Sequence, residues 1–320
     1  MVHEPFSTRV ATPQWRAEAE EWIRDSLAVH AITVTGTIEQ PRIRPWSTQL
    51  TVPTDRGAVW FKAACPSMSF EPALQQALAR LVPGSVQDPL AVECDRGWML
   101  TLDHGPTLAD QRVATLDDWR RALAEAARVQ RALIPHRAEL LATGLPDAGP
   151  ETVVDRFDRL LQIHEHATAG HGALVAPERI VELRGRRAEL VDACAELAES
   201  SVPSTWQHGD LHPGNLHEDD RIAFFDLGDG MWAHAIEILS VPYGVVTGEG
   251  SVPWPQVVTA WTEAWEIEPA EFDRLWRASG LTHAVNRAVT WHRALVTATN
   301  AEIDEWGDAV EHHLASMLDA

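Results

Sequence analysis

Acidic, amide and imidazole side chains are concentrated in one short segment of the chain, between residues that force turns. The segment reads WQHGDLHPGN over residues 206–215, and FFDLG follows over residues 224–228. A carboxylate such as Asp210 can accept or orient the proton of an attacking hydroxyl group. The segment holds two acids and an amide, and Mg²⁺ usually takes one or two carboxylates together with substrate phosphates. These residue types and their spacing indicate phosphoryl transfer.

Two other interpretations of this segment are open. A turn rich in His, Asp and Asn can arise by chance and carry no function. A hydrolytic metal site built from His208, Asp210 and His212 is the second alternative, since alternate residues lie on one side of a strand. The dipeptide Pro213-Gly214 favours a loop over a strand, which argues against that metal site.

The segment lies in a mainly helical part of the chain that follows a β-rich part. Helical spacing of apolar residues predicts helices at 14–29, 69–81, 116–134, 151–168, 176–200 and from 254 onwards, with a loop at 141–150. Short β-rich segments predict antiparallel strands at 31–35, 48–52, 58–63, 88–93 and 98–103. We therefore predict an α+β chain of two lobes: an N-lobe over 1–103 with an N-terminal helix, and a helical C-lobe over 104–320.

The charge balance limits the partners that the chain can bind. The chain has 26 basic and 47 acidic residues, for a formal net charge of −21. Such a surface repels nucleic acids and anionic membranes and favours a cationic small molecule, although it can also serve solubility alone. We find neither a signal-peptide pattern nor an apolar run of the ~20 residues that span a bilayer. We expect a cytoplasmic monomer or homodimer.

Lys62 is the only lysine of the chain. Arginine can supply surface charge and ion pairs as well as lysine can, so a single lysine suggests a position that needs a compact ammonium group. The alternative is a drift towards arginine that left one lysine by accident. Composition alone does not separate these two explanations.

The motifs resemble those of a known family. The HGDLHPGN sequence is similar to the kinase catalytic loop, in which an Asn follows the Asp by five residues, and the DLG sequence resembles the Asp-x-Gly metal motif. In this form they resemble the aminoglycoside phosphotransferase and choline kinase family, which has a protein-kinase-like fold. The resemblance implies that Asp210 is the catalytic base, that His208 braces the loop, and that Asn215 and Asp226 bind Mg²⁺. It also implies ATP as the phosphate donor, with GTP as an open alternative.

The same resemblance assigns nucleotide-binding roles in the N-lobe. Lys62, within the sequence VWFKA, resembles the strand lysine that reaches the α- and β-phosphates. Glu71, the only acid of the helix that follows, is its candidate partner. The strand that ends at Asp103 resembles the hinge between the lobes, where the backbone from Leu100 to Asp103, including Leu102, would bind the adenine edge.

One part of the kinase pattern is missing. A glycine-rich loop is expected between the first two strands, but the matching residues 43–48 read IRPWST. Ser47 and Thr48 are the candidate donors to phosphate oxygens there. Two acids near the motifs lack a clear counterpart: we interpret Glu237 as structural and leave the role of Asp229 open.

The acceptor pocket is expected in the C-lobe, because the acceptor hydroxyl must reach Asp210. Candidate walls are residues 230–245 and the C-terminal helices, whose indoles and acids would suit a cationic ligand or simply form core and solvated faces. These residues are Trp254, Trp261, Trp265, Trp276, Trp291, Trp306, Glu263, Glu266, Glu268, Glu271, Asp273, Glu302, Asp304, Glu305 and Asp308.

Three functions fit the sequence. The first is a kinase of an aminoglycoside-like or other cationic antibiotic, which would confer antibiotic resistance. The second is a metabolic kinase of a sugar, an amino sugar or a choline-like alcohol. The third, a nucleotide-binding pseudokinase regulator, is disfavoured because Lys62, Asp210, Asn215 and Asp226 are all present.

Overall fold

The N-terminal lobe contains an antiparallel sheet with helices on both of its faces, in a computed structural model that describes residues 4–167, 174–219 and 221–319. Its helices are α1 (Phe6–Val10), α2 (Pro13–Val29) and α3 (Glu71–Leu81). Its strands are β1 (Glu39–Ile43), β2 (Ser47–Thr54), β3 (Gly57–Ala64), β4 (Ala91–Glu93) and β5 (Trp98–Leu102). The five strands pair in the order β1-β2-β3-β5-β4.

Alternation along β3 divides the sheet into a packed face and a cleft face. Phe61 is fully buried, and its ring lies 5.8 Å from the ring of Trp22 and 5.4 Å from that of Trp98. Edge-to-face rings at such distances stabilise the packing of α2 on the sheet. Lys62 follows Phe61 and therefore points to the opposite face, beside its cross-strand neighbours Gln49 and Met99.

The structure corrects the predicted strands in three places. Residues 31–35 form no strand, because only Val34 makes a single bridge, to Thr54. The prediction missed β1, which contains Pro41 at an irregularity in the pairing between Glu39 and Arg42. Proline is tolerated there because β1 is an edge strand and the bulge removes the need for its N–H. The segment predicted at 88–93 is a strand only over Ala91–Glu93.

The C-terminal lobe is mainly helical and contains two small two-stranded sheets. Its helices are α4 (Leu108–Gln111), α5 (Leu116–Leu133), α6 (Arg137–Ala142), α7 (Pro150–His166), α8 (Pro177–Gly185), α9 (Arg187–Ala198), α10 (Ser240–Glu249), α11 (Trp254–Trp265), α12 (Pro269–Leu295), α13 (Asn300–Trp306) and α14 (Asp308–Asp319). Its strands are β6 (Ser204–Gln207), β7 (Leu216–Glu218), β8 (Ile222–Phe224) and β9 (Met231–His234), with β6 paired to β9 and β7 paired to β8.

Most predicted helices of this lobe are found, with two corrections. The helix predicted at 176–200 is two helices, α8 and α9, and part of the loop predicted at 141–150 belongs to α6. The capped start of α5 is confirmed, because Thr115 and the N3 residue Asp118 form a reciprocal capping box. Position 168, the last of the helix predicted at 151–168, lies outside the described residues.

The long helix α12 is tied to the segment after β9 by a buried carboxyl group. Glu237 is 3% exposed, and it accepts hydrogen bonds from Thr282 Oγ1 at 2.7 Å and from Asn286 Nδ2 at 2.9 Å. Burial raises the pKa of Glu237 to about 7, against the opposing effect of these two donors. These contacts fit the structural interpretation of Glu237 and fix the part of α12 that faces the cleft.

Among the described residues, no helix is both long enough and apolar enough to cross a membrane.

Candidate active site

Two adjoining cavities of 260 Å³ and 430 Å³ lie in the cleft between the lobes. They share Lys62, Glu71 and Asp226 in their walls. The smaller cavity, called here the inner cavity, extends from these residues to the segment that joins the lobes. The larger one, called here the outer cavity, contains Asp210 and Asn215. The cleft therefore collects the chemically distinctive residues of both lobes.

Lys62 lies at the centre of a three-residue charge cluster. Its Nζ donates to Glu71 Oε1 at 2.6 Å and to Asp226 Oδ1 at 2.5 Å. Burial disfavours the ammonium, but the charges of Asp226 and Glu71 outweigh that effect and raise the pKa of Lys62. The only lysine of the chain is thus a permanent cation in the cleft, and Glu71 from the first turn of α3 is its partner, as the sequence suggested.

The backbone at Asp226 is held in an uncommon conformation. Its φ of 59° and ψ of 65° are left-handed, a region that few non-glycine residues occupy outside functional sites. Glu71 Oε1 also accepts from the Leu227 N–H at 3.0 Å, which fixes the turn that follows. The pKa of the Asp226 carboxyl is low, because the charge of Lys62 outweighs the effect of burial. Asp226 therefore remains a carboxylate and keeps its second oxygen for another partner.

His208 connects the loop of Asp210 to the segment of Asp226. Its Nε2 lies 3.0 Å from the Phe225 carbonyl oxygen, and its Nδ1 accepts from the Asp210 N–H at 3.3 Å. Burial lowers the pKa of His208, so the ring is neutral with the proton on Nε2. Since both ring nitrogens are engaged, His208 cannot ligate a metal, which argues against the hydrolytic metal site.

Gly209 is required by a close approach of two backbone segments. Its φ is +80°, and a Cβ built on it would lie 2.1 Å from the Asp229 carbonyl oxygen. No other residue type fits this position without moving the backbone. The contact fixes the loop that carries Asp210 against the turn that follows Asp226.

The Asp210 carboxylate is oriented by groups on the same loop. Asn215 Nδ2 donates to the Asp210 carbonyl oxygen at 2.9 Å and to its Oδ2 at 3.3 Å. His212 Nε2 lies 3.5 Å from the same Oδ2, and its Nδ1 accepts from the Gly214 N–H at 3.0 Å. With its Nδ2 used in this way, Asn215 presents its Oδ1 as a ligand atom in the cavity wall.

Two charged residues near Asp210 in the outer cavity, Arg287 and Asp229, were given no role from the sequence. Arg287, on α12, is 7% exposed and lies 3.7 Å from Asp210 Oδ1 and 3.2 Å from Asp229 Oδ1. Burial alone would raise the pKa of Asp210, but His212 and Arg287 lower it to about 2. Burial raises the pKa of Asp229 despite Arg287. Asp210 is therefore an anion with a fixed orientation, and Asp229 contacts the same arginine, Arg287.

The oxygen donors of the outer cavity fit a magnesium ion. In the described ranges, no group of three or more His, Cys, Asp and Glu side chains is arranged to hold a metal by itself. Mg²⁺ in phosphoryl-transfer sites needs only one or two carboxylates, since phosphates and water complete its shell. The Asp226 carboxylate, with 38% of its side chain exposed to the cleft, and the Asn215 amide oxygen are donors of the required type.

The inner cavity has both polar and apolar walls next to the segment between the lobes. Phe225 and His217 stack with ring centres 4.4 Å apart, and both line the cavity opposite the sheet. Neither was assigned from the sequence. The remaining wall comes from Gln49, Trp60, Phe61, Gln75, Gln87, Met99, Thr101, Leu102, Asp103, His104, Gly105, Thr107 and Asp110. Such a slot suits a planar heterocycle.

The structure brings some of the predicted nucleotide contacts to the cleft and not others. Leu102 and Asp103 line the inner cavity, and Ser47 lines the outer one. Leu100 does not contribute, because its side chain is fully buried and its carbonyl oxygen accepts from the Leu90 N–H at 2.8 Å. Alternation along β5 turns Met99 and Thr101 to the cavity instead.

The acceptor walls predicted from the sequence are mostly absent from the outer cavity. Of the six tryptophans named for this role only Trp291 lines it, and none of the nine acids does. Trp306 packs behind Trp291 with ring centres 6.1 Å apart. Trp254 and Trp276 form a separate cluster with Tyr243, while Trp261 is buried against Gln130. For most of these residues the structural interpretation is thus the correct one.

Fold and site together define a kinase-like phosphotransferase, and the chain belongs to the phosphotransferase enzyme family, whose family model matches residues 61–241. Among curated proteins, none has a sequence that matches this chain.

Solved structures of small-molecule kinases share the fold. A choline kinase from Streptococcus pneumoniae superposes with a TM-score of 0.63 at 9% identity, over 95% of this chain and 100% of that one. A macrolide 2′-phosphotransferase from Brachybacterium faecium gives 0.58 at 18% identity, over 91% and 98% of the two chains. A spectinomycin phosphotransferase in complex with ADP and spectinomycin gives 0.55 at 12% identity, over 93% and 97%. At these identities the similarity establishes the fold alone.

Proposed function

We propose that this chain transfers the γ-phosphate of ATP to a hydroxyl group of a small molecule. The observation that carries the proposal is that Lys62, Asp210, Asn215 and Asp226 meet in one cleft although they come from different lobes and loops. In this proposal the nucleotide binds mainly to the N-lobe, residues 1–103, and the acceptor to the C-lobe, residues 104–320. The stacked rings of His217 and Phe225 in the wall of the inner cavity, which offer a planar surface to a base, support this arrangement.

Asp210 has the position and charge state to orient an acceptor hydroxyl. Because His212 and Arg287 lower its pKa, it is ionised at neutral pH and can accept a hydrogen bond from the hydroxyl. The acceptor oxygen then forms the new bond to the γ-phosphorus, the bond from phosphorus to the bridging oxygen of ADP breaks, and the hydroxyl proton passes to the carboxylate. Because the transition state of phosphoryl transfer is loose, a weak base in the correct place suffices.

The other residues of the cleft hold the donor. Lys62 would contact the phosphates as a compact cation, with Glu71 fixing its direction. Asn215 and Asp226 would hold Mg²⁺, which supplies charge neutralisation to the phosphates when bound. Ser47 can donate a hydrogen bond to a phosphate oxygen from the start of β2, and backbone groups near Leu102 and Asp103 would bind the base. GTP would use the same groups.

The observations restrict the chemical identity of the acceptor molecule less than that of the phosphate donor. The net charge of −21 favours a cationic molecule such as an aminoglycoside-like antibiotic, which would make the enzyme a resistance determinant. A metabolic alcohol of the amino sugar or choline type fits the same site. In the outer cavity itself, the acids Asp210, Asp226 and Asp229 face Arg287 and the indole of Trp291, which suits a molecule with both polar and apolar faces.

The test is a screen of ATP consumption with purified protein. The panel should contain aminoglycosides, macrolides, peptide antibiotics, amino sugars and choline analogues, with Mg²⁺ present and Asp210→Asn as the blank. Acceptor-dependent formation of ADP by the wild type alone supports the proposal. Failure of the folded wild type to bind ATP in the presence of Mg²⁺ would overturn it.

A further inference from the structure

The family motifs do not show which residues cover the phosphates of the nucleotide. A glycine-rich turn binds phosphate through backbone N–H groups that a side chain would otherwise obstruct. The hairpin that joins β1 to β2 has no glycine, and the Arg44 N–H is already used by the Ser47 carbonyl oxygen at 2.9 Å. Side chains at this edge of the cleft are therefore the first candidates for donors to the phosphates.

Arg42 is the cation that faces the cleft from this hairpin. It lines the outer cavity with Ser47, Lys62 and Asp226. Its Nε is buried and has no hydrogen-bond partner among the described residues. Within that same part of the chain it takes part in no ion pair, whereas the other two cations of the cavity, Lys62 and Arg287, each contact two carboxylates. Arg42 is thus a cation of the cavity that makes no direct ion pair with a carboxylate of the described residues, although its charge acts on the nearby Asp226 and lowers the pKa of that carboxyl.

Neighbouring contacts hold the strand of Arg42 in place. Thr48 Oγ1 donates to the Arg42 carbonyl oxygen at 2.8 Å and accepts from Gln40 Nε2 at 2.8 Å. At the tip of the hairpin, Trp46 meets the rings of Trp291 and Trp306 edge-on, with ring centres 5.5 Å and 5.3 Å apart. These three tryptophans, called here the indole clamp, fix the hairpin over the outer cavity from the C-lobe side.

We propose that Arg42 binds the triphosphate of the nucleotide and replaces the missing glycine-rich loop, with the indole clamp holding it over the cleft. This inference rests on the proposed function. A guanidinium group suits the task because its N–H groups pair with two phosphate oxygens at once and its charge is permanent. Arg42 would then contact the phosphates from the hairpin of β1 and β2, while Asp226, in the same cavity, would hold the metal.

The test compares the binding of ATP and of adenosine, by titration calorimetry with Mg²⁺ present. The variant is Arg42→Gln. The matched control is Arg56→Gln, which removes the same charge from the exposed turn between β2 and β3 and lines neither cavity. We expect Arg42→Gln to weaken ATP binding about tenfold or more while adenosine binds as to the wild type. Arg56→Gln should leave both affinities unchanged.

The outcomes separate this inference from the proposed function. If the wild type binds neither adenosine nor ATP, the proposed function fails and the role of Arg42 fails with it. If the wild type binds ATP and Arg42→Gln binds it as tightly as Arg56→Gln does, only the role of Arg42 is overturned. Should Arg42→Gln not fold, Arg42→Lys serves instead: it keeps the charge but loses the paired N–H groups, and an ATP affinity equal to that of the wild type would overturn the inference.

Discussion

Asp210 is held by three neighbours, so replacing its carboxylate tests chemistry with little change of shape. We predict that Asp210→Asn lowers turnover about 10²–10⁴-fold, because the amide cannot take up the hydroxyl proton. Nucleotide binding should survive, since the base and phosphates are held elsewhere in the cleft. The measurements are turnover with an acceptor found in the screen and ATP affinity by calorimetry. Turnover near the wild-type rate would remove Asp210 from the mechanism.

We expect that arginine cannot replace Lys62, although every other lysine-or-arginine position of the chain is an arginine. The ammonium fits between Glu71 and Asp226, each within 2.6 Å. A planar guanidinium needs more space, and we predict that Lys62→Arg folds normally but loses activity by about 10²-fold through misplaced phosphates. Turnover and thermal melting on the same sample test this. Full activity with an unchanged melt would mean that the single lysine is an accident of composition.

Asp226 is expected to act on the nucleotide through the metal. We predict that Asp226→Ala abolishes the difference between ATP affinities measured with Mg²⁺ and with a chelator, whereas the wild type binds ATP more tightly with Mg²⁺. Adenosine affinity is the control, because it involves neither phosphate nor metal. A variant that retains the full effect of Mg²⁺ would show that the DLG sequence does not hold the ion.

At the scale of secondary structure, Glu237 makes the junction of β9 and α12 sensitive to pH. Burial raises its pKa from 4.5 to about 7, so between these values the folded protein holds a proton that the unfolded chain releases. Stability from this group is therefore fully present at low pH and is lost as pH rises through this window. We predict that the unfolding free energy of the wild type falls relative to that of Glu237→Gln between about pH 5 and pH 7.5, by up to about 3 kcal/mol. Urea unfolding of both proteins across this range measures it, and a constant difference would contradict it.

The helices and strands whose bounds are set by neighbouring residues were predictable from the sequence. The helices α2, α3 and α5 and the strands β2, β3 and β5 each begin and end within about two residues of the predicted bounds, because apolar periodicity and turn residues determine them. The strand β1 was missed because Pro41 reads as a turn until the edge position and the bulge are known. Residues 31–35 have the composition of a strand but find a partner only at Val34.

The residues of the site likewise fall into two groups: those that the sequence marks and those that only the tertiary structure reveals. Lys62, Glu71, Asp210, Asn215 and Asp226 are marked in the sequence by residue type and motif spacing, and the structure brings them together. Arg42 and Arg287 are two arginines among many, and nothing in their neighbouring residues distinguishes them. Their importance depends on which elements pack across the cleft, which is a tertiary property. The same reason explains why the sequence could not decide whether the acids of the C-terminal helices form an acceptor wall or solvated faces; none of them lines the outer cavity.

At the scale of the whole molecule, the lobes are joined on one side by the inter-lobe segment and on the other by direct contacts. Ser67 Oγ donates to the Arg293 carbonyl oxygen at 2.6 Å, and Arg293 Nη2 donates back to the Ser67 carbonyl oxygen at 2.5 Å. Ser7 Oγ donates to Glu302 Oε2 at 3.0 Å. The indole clamp is the third contact on this side. The cleft is therefore bounded at both ends, and the hairpin of β1 and β2 is attached to both lobes.

The indole clamp should couple the two lobes energetically. Trp46 belongs to the N-lobe and Trp306 to the C-lobe, and their rings meet at 82° with centres 5.3 Å apart. Edge-to-face pairs of this kind contribute about 0.5–1.5 kcal/mol beyond simple burial. We predict a coupling of that size in a double-mutant cycle of Trp46→Ala and Trp306→Ala, measured by urea unfolding.

The control cycle pairs Trp46→Ala with Trp254→Ala, whose ring packs on Tyr243 and Trp276 instead, and the two effects in this control cycle should be additive. If the Trp46 and Trp306 effects also add, the hairpin is not anchored by the clamp. Trp46→Ala should in addition weaken ATP binding several-fold without changing adenosine binding, since the hairpin would then hold Arg42 less firmly over the phosphates.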